Sequence, residues 1–436
     1  MLALAITQAG SYIRKTRRLD TYLDTLRSHR KRLLRKQPDI GNEYTSSTYA
    51  AFDLSFQTLP TKTQELLKLC AFLHHSDIPV SLFQHSTESG FATYTVLDDF
   101  PPPDSDKAVI QKLKEILGST WDEVEFQEIV ESATRASFIH VSTDGLFYAV
   151  HPLLQMYIKD CSSQEDNREY ARATTQLILG AIRPVEGSNA RFWQLLPHAT
   201  KIPQSVQSEN MAHALAFYKL YHPLGDWKTC RELLETAFYQ VQQDHGLKHK
   251  SSMWVMCKLG NALHSCGQLE KAEKMEREVL ALRLEILGPR HPDTIQAMGN
   301  LAATLHSRGQ LDEAEKMKRE VLALQLEILG PRHPGTISAM TKLANTLYQR
   351  DRLEEAEKIE REILSLRHEI LGKRHPESLN ASYSLCKTLC KGGQLEEAAT
   401  LLQETIGICT EEFGKDDRRT LKYKEFLKLI VPNQPV

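Results

Sequence analysis

Leu-Gly-Pro-Arg-His-Pro runs from Leu287 to Pro292, returns unchanged from Leu329 to Pro334, and comes back as Leu-Gly-Lys-Arg-His-Pro from Leu371 to Pro376. Each copy follows the last by 42 residues, and a fixed period of that size marks a stacked array of structural units. Laid over itself at this spacing, the chain aligns Leu259, Leu301, Leu343 and Leu385, and likewise Ala272, Ala314, Ala356 and Ala398. Matching positions run from Val255 to Lys422. A degenerate unit precedes them over 213–254, where Gly225, Gly246 and His249 hold the places of Gly267, Gly288 and His291.

Within one unit apolar residues fall at helical spacing twice, at Met298, Leu301, Ala302 and Leu305, then at Leu311, Ala314, Met317, Val321 and Leu324. The unit is predicted to be a helical hairpin. Gly309 stands where the first helix must stop in a left-handed conformation, and Asp351, one of the few other residues to tolerate it, takes that place one unit later. Ala302 and Ala314 mark a close approach of the two helices. Pro292, Pro334 and Pro376 open the next helix at its first turn, where a missing N–H costs nothing.

These residues resemble tetratricopeptide repeats of the long form found in kinesin light chains, 42 residues here against about 34 in the ordinary repeat. The pattern Leu-Ala…Gly-Gln-Leu-Asp-Glu-Ala-Glu from Leu301 to Glu315 carries the match. The resemblance implies a right-handed solenoid whose first helices line a concave groove for a partner protein or peptide. In that family the residue after the small one on the first helix often hydrogen-bonds the peptide; here Asn261, Ala303, Asn345 and Lys387 hold that position. Cys257, Gly299, Thr341 and Tyr383, one turn earlier, replace the lysines of the chaperone-tail binders. The expected surface is therefore a largely neutral groove of Asn261, His264, Asn300, His306, Asn345, Tyr348 and Lys387, not a dicarboxylate clamp. Glu276, Lys318 and Glu360 replace the usual apolar residue of the second helix, which predicts looser packing there.

The 436 residues carry a formal net charge of -2, too balanced to draw nucleic acid or a membrane surface. Residues 1–40 are net +7 and residues 41–160 net -10. A DNA-reading domain needs a basic face, so the acidic stretch argues against one. The eight cysteines follow no disulfide or metal spacing, which predicts reduced thiols and a cytoplasmic protein. No apolar run reaches the roughly 18 residues of a membrane span. The stretch from Met1 to Arg18, free of acids, is faintly like a transit peptide.

A second resemblance competes for that start. Met1 to Ile13 is similar to the Gly-Leu-Pro-Leu segment and following helix of NB-ARC signalling ATPases, the core of fungal NLR-like receptors, although Met1 and Ala3 replace its glycine and proline. The chain would then begin in mid-domain. Leu19 to Lys36 would continue a helical subdomain over 1–40, with Pro38 to Ser47 as boundary. Residues 41–160 look like the winged-helix domain of that family. Apolar runs Ser137 to Val141 and Leu146 to Val150 flank Thr143-Asp144-Gly145, a hairpin signal that would form the wing. His151 stands at the Met-His-Asp position whose histidine contacts the nucleotide phosphate. No Gly-x-x-x-x-Gly-Lys-Ser/Thr phosphate loop occurs, so no nucleotide or other cofactor is expected, and His151 reads as a hairpin-to-helix junction residue. Phe192 to His198, within a helical connector at 161–212, resembles the segment before the repeats in the same proteins.

No nucleophile elbow, His-Glu-x-x-His, Cys-x-x-Cys or dinucleotide turn is present. No catalytic residue, metal site or enzyme activity is expected. His249, His291, His333 and His375 recur once per unit and read as loop packing or as caps of the preceding helix C-terminus. Arg290, Arg332 and Arg374 beside them would align into a basic ladder legible to an acidic partner. The expected fold is all-α: a winged-helix domain with one β-hairpin, the connector, the degenerate repeat at 213–254, four repeats at 255–422, and a capping helix and tail at 423–436. The expected role is a non-catalytic protein-interaction scaffold. The alternatives are a truncated NLR-like piece serving a separate nucleotide-binding chain, and a kinesin-light-chain-like cargo adaptor, which lacks its heptad coiled coil in residues 1–212.

Overall fold

The computed structural model describes residues 2–17, 21–36, 43–104, 106–183 and 189–430. Met1, Leu19, the 38–42 part of the expected boundary, Ser105 and the 431–436 tail lie outside them. The chain divides into two units, Met1–Leu247 and Lys248–Val436. It is predominantly helical, with a single three-stranded sheet among the described residues. None of the described helices is long and apolar enough to cross a membrane.

In the first unit, helices Glu43–Phe56 and Thr61–Cys70 lead to strand β1, Ile78–Pro79. Three further helices, the last Glu123–Arg135, lead to β2, Ile139–Val141, and β3, Phe147–Val150. The sheet order is β1-β3-β2, antiparallel throughout, with Ile78 opposite Tyr148 and Ile139 opposite Val150. The sequence marks Asp77-Ile78-Pro79 as an interruption. It is instead a sheet edge, where proline is tolerated because the outer side needs no N–H donor. The β2–β3 turn closes on Asp144, which accepts from Ser142 Oγ at 2.5 Å and Leu146 N at 3.0 Å, beside Gly145 at φ +74°. Phe52, Phe56, Phe138 and Tyr157 pack ring against ring. Tyr157 donates to the buried Asp53 at 3.0 Å and Tyr49 to Asp160 at 2.8 Å. In helix Gln164–Ala181 a side chain at Gly180 would come within 2.3 Å of Ser86 Oγ and 3.0 Å of the Phe91 backbone, so only glycine fits. Helices Met211–Tyr221 and Trp227–His245 end the unit.

The second unit is four helical hairpins, here repeats 1 to 4, each with a first helix A and a second helix B. They are Lys250–Ser265 with Leu269–Leu287, Pro292–Ser307 with Leu311–Leu329, Pro334–Gln349 with Leu353–Leu371, and Pro376–Lys391 with Leu395–Phe413. The A-to-B turns hold Gly267, Gly309, Asp351 and Gly393 at φ between +58° and +83°, the left-handed geometry the sequence requires. Leu301, Leu305 and Ala314 form a buried cluster that recurs as Leu343, Leu347 and Ala356, and as Leu385, Leu389 and Ala398. Ala302 is fully buried. The last helix, Arg418–Ile430, begins ahead of the Tyr423 boundary set by the period. Its Tyr423 and Leu427 cover repeat 4 through Leu379, Cys386 and Leu402.

Candidate functional site

The seven residues expected in the groove sit on the A helices, where Asn261, His264, Asn300, His306, Tyr348 and Lys387 are half-buried and Asn345 is exposed. They do not form one cluster. His264 Nε2 lies 3.0 Å from Ser307 Oγ, and Asn300 Nδ2 donates to Cys257 Sγ at 3.4 Å, each joining an A helix to the next. His306 Nδ1 lies 3.2 Å from Thr346 Oγ1, which also receives the Lys318 ammonium at 2.7 Å. Burial, then Lys318, lowers the His306 pKa. Tyr348 and Lys387 do meet. The Lys387 ammonium lies 5.6 Å from the ring centres of both Tyr348 and Tyr383, while Lys391 covers Tyr348 at 4.6 Å and Lys422 covers Tyr383 at 4.5 Å. Two tyrosines thus carry three lysines by cation–π contact. Lys391 and Lys422 were missed in the sequence; the Lys387/Lys391 spacing of one helical turn was the available signal. Asn261, Asn345 and Lys387 make no side-chain hydrogen bond among the described residues.

The expectation of looser packing falls on three B-helix residues, Glu276, Lys318 and Glu360: all are buried, at 4%, 7% and 5% exposure, and the last two line clefts between repeats. Gly260 leaves room for one of them, since a β-carbon there would come within 2.9 Å of Glu276 Cγ. Burial pushes the Glu276 carboxyl up to about 7 and raises that of Glu360. Burial, with Lys342 second, lowers Lys318 to about 8.

Arg290, Arg332 and Arg374 do not form a free basic ladder. Each pairs with the next repeat, Arg290 with Glu327 at 2.7 Å, Arg332 with Glu369, and Arg374 with Glu411 and Glu412. A parallel ladder joins B helix to B helix. Arg277 spans Glu273 and Glu313, Arg319 spans Glu315 and Glu355, and Arg361 spans Glu357 and Glu397, all at 2.7 to 2.9 Å. Burial pushes Glu273 and Glu315 up, but their arginines outweigh it and hold both below the usual carboxylate range.

The repeated histidines cap the following helix, not the preceding one. His291, His333 and His375 accept from Asp293 N, Gly335 N and Glu377 N through Nδ1 at 3.0 to 3.2 Å, and His249 caps Ser251 N in the same way. A proline then supplies the first helical residue in three of the four. His151-Pro152 is built identically, with His151 Nδ1 accepting from Leu153 N at 3.1 Å. Burial lowers the His151 pKa, which keeps the accepting nitrogen unprotonated.

Two clefts open between successive A helices. One of about 480 Å³ lies between repeats 2 and 3 with Asn300 and Lys342 on its walls, and one of about 290 Å³ lies between repeats 3 and 4 with Asn345 and Asn380. No group of three or more His, Cys, Asp or Glu among the described residues is placed to hold a metal ion.

The tetratricopeptide repeat family matches this chain over residues 208–285, 258–327 and 293–369. No curated protein matches it. Among solved structures, the nearly identical TPR-like repeats of a Podosopora anserina chain described as a kinesin light chain align at 22% identity with TM-score 0.43, over 48% of this chain and 98% of that one. BtubC (BKLC) from P. vanneervenii aligns at 15% identity with TM-score 0.42, over 52% and 89%. The quorum sensor NprR from B. thuringiensis, in its apo form, aligns at 15% identity with TM-score 0.44, over 75% and 83%. The chain carries tetratricopeptide repeats, and repeats of this kind indicate a protein-interaction scaffold.

Proposed function

We propose that the A-helix surface of repeats 1 to 4 binds a partner protein or peptide and that the chain itself is not catalytic. One contrast carries this reading. The arginines of the B helices and repeat loops are satisfied by glutamates, whereas Asn261, Asn345 and Lys387 on the A helices keep their hydrogen-bonding capacity. An amide offers both a donor and an acceptor to a peptide backbone. Tyr348 and Tyr383 add flat apolar contact under the lysines. The test is panning of the full chain against a random peptide library. Enrichment by the wild type should fall about thirtyfold in the Asn261→Ala/Asn345→Ala double variant, since the two lost hydrogen bonds are worth about 1 kcal/mol each. Equal enrichment by both proteins would place the binding surface elsewhere.

The NB-ARC-like reading of residues 1–160 is kept as a second proposal, because a three-stranded sheet bearing a hairpin precedes a helix capped by His151. In it, the first unit is a cytoplasmic regulatory arm that binds no nucleotide of its own. The imidazole nitrogen that caps Leu153 N is not free for a phosphate. Calorimetry should detect no ADP binding; micromolar binding that disappears in His151→Ala would overturn this.

A further inference from the structure

Residues 273–292 and 315–334, which close repeats 1 and 2, are identical at 18 of 20 positions. The two differences are Glu276 against Lys318 and Arg283 against Gln325, and the next residue differs as well, Asp293 against Gly335. Lys318, Gln325 and Gly335 all line the cleft of about 480 Å³.

The neighbouring repeats show what fills the equivalent space. Arg283, 4% exposed, reaches the Asp293 carbonyl, and Arg367 reaches the Glu377 carbonyl at 2.7 Å. Gln325 is too short to do the same. Its Oε1 is buried without a hydrogen-bond partner. Gly299 replaces Cys257 and Thr341 on the opposite wall, with no atom within 4 Å of where a β-carbon would stand. The cleft is therefore made by three shortened side chains. Its volume lies in the range of small-ligand sites, roughly 300–1,000 Å³.

The chemistry of the walls is two-sided. Ile295, Val321, Ile328 and Leu329 are apolar, the Asp293 carboxylate lies 4.0 Å from His291 Nδ1, and Lys318 and Lys342 have no carboxylate partner among the described residues. Among the described residues the buried Lys318 ammonium donates a hydrogen bond to the Thr346 hydroxyl alone. A buried cation without a counter-charge is costly, and an entering anion relieves that cost.

We propose that the cleft between repeats 2 and 3 is a binding pocket for an aliphatic group carrying a carboxylate, with the apolar body against Val321 and Ile328 and the carboxylate toward Lys318 and Lys342. This rests on the reading of the A-helix surface as a binding surface and specifies one position on it. A free aliphatic acid and the last residue of a partner chain both present such a group.

The test is calorimetry of the full chain with octanoate and octanamide, and with acetyl-Gly-Gly-Gly-Leu as free acid and as terminal amide. At least one acid should bind about tenfold more tightly than its amide, the effect of one charge-assisted contact. Binding of octanoate alone identifies a small acid, and of the peptide acid alone a chain end. Lys318→Met should bring acid and amide to similar affinity. Gln325→Arg with Gly335→Asp, which installs the residues of repeat 1, should abolish binding while leaving the melting temperature unchanged or higher, because it fills a cavity. Acid and amide of equal affinity, no binding of any probe, or binding that survives the filled variant would overturn the proposal. Peptide enrichment that survives in the filled variant but is lost in Asn261→Ala/Asn345→Ala would remove the pocket and leave the groove standing. Loss of octanoate binding alone, with enrichment unmoved by the asparagine changes, would do the reverse.

Discussion

The two units hold themselves together over very different distances along the chain. In the second, polar contacts recur at fixed short offsets: Arg277 to Glu313, Arg319 to Glu355 and Arg361 to Glu397 each span 36 residues. In the first, Tyr157–Asp53, His213–Asp106 and Tyr49–Asp160 span 104, 107 and 111 residues, and each occurs once. A periodic chain solves one packing problem and reuses the answer between neighbours. A non-periodic unit must bring distant segments together before any contact stabilises it. The His-Pro helix start is found in both, because it needs only consecutive residues.

The largest expected effect comes from crowding a close approach in each unit. Ala302→Arg should cost about 3 kcal/mol, as a charged chain cannot enter a filled site. Hydrogen exchange should show the lost protection confined to repeats 1 to 3. Gly180→Ala should cost about 1–3 kcal/mol but lower protection throughout residues 43–183. Matching spatial spread in the two variants would break the comparison, and an unchanged melting temperature in Ala302→Arg would refute the repeat register.

Glu276 gives a smaller, pH-dependent effect peculiar to the second unit. Its folded pKa, about 7, lies above the unfolded value, so its protonated form favours folding and that contribution is lost as pH rises through 7. Glu276→Gln should therefore be about 2 kcal/mol more stable than the wild type at pH 8 and similar at pH 5. Thermal melts at the two pH values check this. A variant less stable at both would show that the ionised carboxylate has a partner.

Loss of a helix cap tests what the units share. His333→Ala and His151→Ala should each cost about 1 kcal/mol, and His333→Asn should recover most of it because Asn caps well. His151 carries a sign as well. Its pKa is lowered in the fold, so its contribution is present above the ordinary imidazole range and lost as pH falls through the folded value. A melting curve of His151→Ala that converges with the wild type in acid would agree. The smallest effect belongs to the ladder: Arg319 is 42% exposed, so Arg319→Ala should cost about 0.5 kcal/mol and less in high salt.

The repeat period, the left-handed turns at Gly309 and Asp351, the buried Ala302 and the proline helix starts were legible because each depends on residues a few positions apart. The hairpin around Asp144-Gly145 was legible for the same reason. The strand at Ile78–Pro79 was not, since two residues show no alternation and its partner Tyr148 lies 70 positions away. The sequence offers the histidines as loop packing or as caps of the preceding helix and misses the following one, because an imidazole between two helices can serve either and only the position of Nδ1 decides. The arginine ladder looked free because its glutamates, in the last turn of the next B helix, are on another repeat. Candidate site residues came from register alone, which places a side chain on a face but does not say which neighbours occupy it. The pairing of Tyr348 with Lys387 and the space left by Gln325 both depend on those neighbours.

The helix Arg418–Ile430 seats Tyr423 and Leu427 against the face of repeat 4 that another A helix would take. The Tyr423 hydroxyl also donates to Asn380 Oδ1 at 2.9 Å, which ties this helix to the first helix of repeat 4. The nearly identical copies at 273–292 and 315–334 are where two misaligned genes could recombine and add or drop 42 codons in frame. The array can thus change its length from within, and each exchange through those copies carries a histidine cap with it.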